Sequence, residues 1–181
     1  MTKEERVSKS IFRNWWQDIQ RFDEKGKPNF WANPAALARL RRCGSVIDAM
    51  TEDVTIDLFR FLKMSHASQL PDVALIAMTL AHVREDDKDK SRAILAVGRE
   101  RSDDPESAKM SPLRFRRLLS CRKENSDDLA REMRRFIALA GKKVNVGDLG
   151  VSLYYWNDRT RAEWAFNYYG AGNAAPSHAN T

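Results

Sequence analysis

Apolar residues recur at helical steps along most of this chain. Val7, Ile11, Trp15, Ile19 and Phe22 follow one another at intervals of four, four, four and three. That spacing lines one face of a helix, and Gly26 and Pro28 stop it. Asn33 and Pro34 read as a cap and a first-turn proline. The helix they open carries Leu37 and Leu40 on one face and Arg39, Arg41 and Arg42 on the other, and it ends near Gly44. The spacing predicts a third helix from about Asp53, with Leu58, Phe61 and Leu62 inward. Pro71 and Asp72 open a fourth, almost wholly apolar helix through Val83, which reads as the centre of an N-terminal lobe.

The pattern then breaks. Residues 85–90 read EDDKDK and residues 102–107 read SDDPES, with a short apolar patch, Ala93 to Val97, between them. Residues 85–109 are expected to form an exposed, mobile connection between an N-terminal lobe (1–84) and a C-terminal lobe (110–170). Ser111 and Pro112 restart the helical pattern, with Phe115, Leu118 and Leu119 inward. On the outer side Arg114 lies one turn from Arg117, and Arg116 two turns from Lys123. Ser126 caps a helix that buries Leu129, Met133, Phe136 and Ile137, with Gly141 behind it. Asn145 caps the next, with Val146, Leu149, Leu153 and Trp156 buried. Thr160 and Glu163 fit a capping box for a last helix that packs Trp164, Tyr168 and Phe166. Residues 171–181 have no hydrophobic face and read as a disordered tail. The expected fold is all-α, a bundle of about eight helices in two small lobes.

Composition narrows the class. Hydrophobic residues make up 43% of the 181, enough for a folded core, and only eight glycines and six prolines interrupt them. No apolar run reaches the roughly 18 residues of a membrane span. The first ten residues, MTKEERVSKS, are charged and unlike a signal peptide. Cys43 and Cys121 match no metal spacing and read as free thiols of a reducing cytoplasm. His66, His82 and His178 have no cysteine or carboxylate at ligand spacing. There is no glycine-rich phosphate loop and no recognisable nucleophile context. The sequence calls for no cofactor, no metal and no catalytic residue.

Charge adds the positive signal. Residues 111–143 hold ten basic and four acidic residues, an excess equal to the +6 of the whole chain. Arginines on an exposed helix ordinarily just solvate it. Here acidic residues at helical spacing are scarce around Arg114, Arg117, Arg134 and Arg135, and arginine's planar fork suits phosphate. The stretch therefore reads as a polyanion surface. Tyr154, Tyr155, Trp156, Trp164, Phe166, Tyr168 and Tyr169 offer faces on which bases could stack. Helical spacing makes Trp156 and Trp164 core, and Trp15, Trp16 and Trp31 core or inter-lobe packing.

The order of motifs resembles one family. RNWW (13–16) is followed by RLRRC (39–43), SPLRFRRLLS (111–120) and REMRRFIALA (131–140). The closing segment VNVGDLGVSLYYWNDRTRAEWAFNYYG spans 144–170. Together these resemble the CasB family, the small subunit of the type I-E CRISPR surveillance complex Cascade. The resemblance implies an all-helical, non-catalytic protein of two lobes that sits as a homodimer within the complex. It implies contacts with the crRNA-guided backbone subunits and the large PAM-reading subunit. It implies a basic face that holds the displaced non-target DNA strand of the R-loop.

The family's basic contacts fall on Arg41 or Arg42 in the N-terminal lobe. In the C-terminal lobe they fall on Arg114, Lys123, Arg135 and Arg159, with Arg117, Arg134 and Arg161 as neighbours. Ser120 stands where some relatives carry a basic residue, with Arg122 and Lys123 just beyond. An alternative from the charge pattern alone is a free-standing helical DNA-binding regulator, with one recognition helix in a major groove.

Overall fold

The structure, a computed structural model, describes residues 7–20, 25, 27 and 32–172. The expectations for Phe22, Gly26, Pro28, Trp31, His178 and the tail from residue 173 lie outside the described residues. The fold is all-α. Nine α-helices and two two-residue strands form among the described residues.

Helix α1 (Lys9–Asp18) starts at Ser8, whose hydroxyl accepts from the Ser10 N–H. In α2 (Pro34–Arg42) the Asn33 side chain accepts from the Ala36 N–H at 3.0 Å, as the Asn-Pro pair predicts. Helix α3 (Val46–Met50) is closed by a Ser45–Asp48 capping box. It is too short for periodicity to reveal, and the sequence reading missed it. Helix α4 (Asp53–Phe61) buries Val54, Thr55 and Leu58. Phe61, expected inward, is 52% exposed because the helix ends there.

Helix α5 (Leu70–Leu80) buries every residue from Val73 to Leu80. It packs against α3, α4 and, from the other half of the chain, α7 (Ser126–Leu139) and α8 (Val146–Tyr154). A helix apolar on all sides requires partners all round. The halves before and after residue 85 therefore share one continuous core.

Helix α1 also packs across the chain, onto α8. The sequence stripe put Ile11 inward, but the buried residue is Phe12, with Ile11 only half-buried. Gly150 is the reason. A Cβ there would stand 2.3 Å from Phe12 Cγ, and one at Gly147 would stand 2.8 Å from the Lys9 carbonyl oxygen. Two glycines one turn apart make a notch in α8, and α1 rotates to seat Phe12 in it. Asp148, between them, is 2% exposed. It accepts from the Ala93 N–H at 2.8 Å and pairs with Lys9 at 2.7 Å.

Strand β1 (Glu85–Asp86) pairs in parallel with β2 (Lys143–Val144), Glu85 opposite Lys143 and Asp86 opposite Val144. Asp86 then accepts from Arg13 Nε at 2.6 Å and from the Val146 N–H at 2.9 Å, joining α1 to the start of α8. The segment 85–109, read as an exposed connection, is anchored in the middle: Ala93, Ile94 and Val97 are buried. The Arg99 N–H donates to the Tyr168 carbonyl at 2.8 Å, and the Met110 N–H to Val97 at 3.2 Å. The flanking acidic runs lie at the surface, apart from Asp87, which is buried, and the Asp86 side chain, which is turned inward.

Helix α6 (Pro112–Ser120) buries Phe115 and Leu118. It ends at Ser120, so Arg116 and Lys123 do not share a helix as the sequence spacing suggested. Helix α7 buries Leu129, Met133, Phe136 and Ile137 as expected. Helix α9 (Asp158–Tyr168) is capped by Asn157. The Thr160 hydroxyl does not close a capping box but donates to the Tyr155 carbonyl at 2.6 Å. Trp164 and Tyr168 are buried, whereas Phe166 is 53% exposed. Among the described residues no helix is long and apolar enough to cross a membrane.

Candidate nucleic-acid interface

The nine basic residues singled out in the sequence fall into two physical groups. Arg42 on α2 and Arg114 and Arg117 on α6 are exposed. Among the described residues none of the three meets a carboxylate, and the same holds for Arg116. The α6 stripe explains this. Phe115 and Leu118 point into the core, where Phe115 stacks on Tyr168 with ring centroids 3.8 Å apart. The intervening arginines are thereby turned to solvent with no acidic residue in their helix.

The remaining candidates have partners. Arg135 pairs with Glu132 one turn back, so its acidic neighbour was in the helix after all. Arg159 Nε lies 3.3 Å from Glu163 Oε1. Arg161 pairs with Asp158 and donates to the Leu119 carbonyl at 3.0 Å. Lys123 is the most committed. Its ammonium lies 2.8 Å from Asp72 Oδ2 and donates to the Tyr154 carbonyl at 2.7 Å. Exposed pairs such as Arg159–Glu163 are weak and exchange readily with a phosphate. The half-buried Lys123 bridge is a brace.

Arg41 and Arg134 are half-buried. Arg41 Nε donates to the Ala81 carbonyl at 2.6 Å. Burial, and Arg84 beside it, make Arg41 a weaker base than an ordinary guanidinium. Arg134 reaches back to the Ala130 carbonyl at 3.4 Å.

Lys123, Arg159 and Arg161 come together around a depression of about 370 Å³, joined there by Arg122, which the sequence placed just beyond the expected contact. Arg122 is exposed and has no carboxylate partner among the described residues. Trp156 forms the floor, its indole N–H donating to the Cys121 carbonyl at 2.9 Å. Trp156 and Trp164 are buried at 4% and 3% exposure, so they pack rather than stack on bases. Tyr155, Phe166 and Tyr169 are exposed, with the Arg99 guanidinium 4.9 Å from the Tyr169 ring centre.

Cys43 and Cys121 are free. Burial raises both thiols, reinforced by Glu52 and Asp48 at Cys43 and by Glu132 and Asp128 at Cys121. They are weak nucleophiles in this state. Among the described residues no group of three histidine, cysteine or acidic side chains is placed to hold a metal ion.

Fold and surface together define a small all-helical protein with several outward arginines, among them Arg42, Arg114, Arg117 and Arg122, that lack a carboxylate partner among the described residues. Residues 36–169 match the family described as CRISPR-associated protein Cse2. The chain belongs to that family, the small subunits of type I-E Cascade, and is thus a subunit of a CRISPR surveillance complex. No match was found among the curated proteins or the solved structures compared.

Proposed function

We propose that this subunit is structural rather than catalytic. In this reading its basic surface stabilises the R-loop by holding the displaced non-target DNA strand. The observation that carries the reading is the set of exposed, unpaired arginines Arg42, Arg114 and Arg117 on a protein of a Cascade family. Exchanging a DNA duplex for a guide–target heteroduplex is nearly balanced in energy, so backbone contacts can tip it. A displaced strand left in solution re-anneals. A positive track holds it without reading sequence, because every nucleotide offers the same phosphate. Arg41 and Arg134 lie at the edge of this track. Arg135, Arg159 and Arg161 join it by exchanging their carboxylates for phosphate, and Lys123 supports the fold beneath it. The subunit acts as a homodimer against the backbone and large PAM-reading subunits, in the cytoplasm and with no cofactor.

The test is target-DNA binding by Cascade assembled with Arg114→Glu and Arg117→Glu subunits. Assembly is expected to be intact, with target affinity reduced. The slope of log affinity against log salt should fall by about 0.7 for each single-strand phosphate that the variant no longer holds. Unchanged affinity and slope in both variants would overturn the reading.

A further inference from the structure

The positive charge of four side chains bears on one imidazole at the seam between the two halves of the chain. Arg41, from the last turn of α2, bonds the Ala81 carbonyl beside His82. Arg84 follows two residues later, and its N–H donates to the Lys142 carbonyl at 2.8 Å. That carbonyl is aimed by the turn after α7, where Gly141 and Lys142 have φ of 69° and 63°. Arg134 enters from α7. The charges acting on His82 are Arg134, Arg41, Lys142 and Arg84, all positive. Cys43, two residues beyond Arg41, lies in the field of Arg134 as well. The carboxylates Glu52 and Asp48 that act on Cys43 are not among the charges acting on His82.

Two details make this cluster incomplete as it stands. Arg41 Nη2 and His82 Nε2 are buried with no hydrogen-bond partner among the described residues. Buried polar atoms of folded proteins are nearly always satisfied, so each exception calls for a reason. None of the four cations has a carboxylate partner among the described residues either. Like charges gathered without a counter-ion cost stability, and an anion removes that cost. Arg84 and Lys142 are exposed and open the cluster to solvent. The unpaired Arg42 continues it along α2.

We propose that Arg41, Arg84, Arg134 and Lys142 form one anion site across this seam, which takes a phosphate of a nucleic-acid strand. The site rests on the reading of this chain as a nucleic-acid-binding subunit and adds Arg84 and Lys142 to it. The anion meets Arg84 and Lys142 directly. The half-buried Arg41, with its unpartnered Nη2, and the half-buried Arg134 complete the site, and the half-buried His82 senses the anion through the field. His82 is therefore a built-in reporter: burial and the four cations hold its pKa down to about 4, and a bound phosphate offsets those cations.

The test follows the His82 ring signals of the full chain by NMR across pH, alone, with inorganic phosphate, and with a single-stranded oligothymidine. The exposed His66 is the internal control. The oligomer should raise the His82 pKa by about one unit or more and leave His66 unmoved. The double variant Arg84→Glu, Lys142→Glu should bind the oligomer at least fivefold more weakly and lose the shift. An equal shift with inorganic phosphate at the same phosphate concentration would assign the site to a free anion and overturn the strand. Oligomer binding with His82 unmoved and the double variant unaffected would overturn the site while leaving the basic surface standing. No oligomer binding by the chain, together with normal target affinity of Cascade carrying Arg114→Glu and Arg117→Glu, would overturn both.

Discussion

The Lys123 ammonium and the Asp72 carboxylate meet at 2.8 Å, joining the turn after α6 to the first turn of α5. Sequence marked Lys123 as a nucleic-acid contact, and this geometry also gives it a bracing contact within the fold. Lys123→Met keeps the aliphatic stem and removes both polar contacts. It should cost about 1.5 kcal/mol and lower Tm by roughly 3–6 °C. Arg117→Met should leave Tm unchanged, so paired thermal melts separate brace from contact.

The notch at Gly150 accepts nothing larger. Gly150→Ala places a methyl carbon within 2.3 Å of Phe12, and helix backbone on both sides limits relaxation. Overpacking of this kind costs about 1–3 kcal/mol. Denaturant unfolding should show a lower midpoint, and Phe12→Leu in the same chain should recover part of the loss.

Asp148 is a buried acceptor serving three groups: the Ala93 N–H, Lys9 and Arg92. The two cations are exposed enough to find water if it is removed. The Ala93 N–H is buried and is not. Asp148→Ala should therefore cost on the order of 2 kcal/mol, the usual penalty of an orphaned buried donor. Hydrogen exchange should show the Ala93 amide losing protection, while Asp148→Asn retains more of it.

His82 gives the fold an acid sensitivity. In the unfolded chain an imidazole takes up its proton near pH 6.5; in the fold His82 does so only near 4, chiefly because it is buried. Between those values the unfolded chain binds more protons, so stability falls as the pH is lowered from about 6.5 towards 4. Above pH 6.5 the imidazole is neutral in both states and contributes nothing. His82→Gln should flatten this decline relative to the parent chain, measured as Tm against pH. Equal slopes would contradict the assignment.

Local rules served the sequence reading well. The Asn33–Pro34 start, the α7 stripe of Leu129, Met133, Phe136 and Ile137, and the wholly buried α5 follow from caps and periodicity within one helix. Some misses were local, such as the five-residue α3 and the Arg135–Glu132 pair one turn apart, but others arise from contacts distant along the chain. Phe12 is chosen over Ile11 by a notch near the other end of the sequence. The Ala93–Val97 patch is buried because α8 and α9 cover it. The arginines of α6 were legible as a charged face because their unpaired state depends on that helix alone. The Lys123–Asp72 pair was not legible, because Asp72 lies in α5, far away in sequence. Lys142 counted within the basic stretch 111–143, but strand pairing and the α7 turn, not sequence proximity, bring it beside Arg84 and His82.

The packing of α1 on α8 has a consequence for how the chain is made. Helix α1 leaves the ribosome well before Gly147 and Gly150 of α8 are translated. Until they emerge, Phe12, Trp15 and Trp16 have no α8 to cover them. Synthesis thus passes through a nascent chain in which the apolar face of α1 is not yet covered by α8. A ribosome stalled near residue 140 would display this unsheltered helix to a crosslinker, and release of the finished chain would hide it.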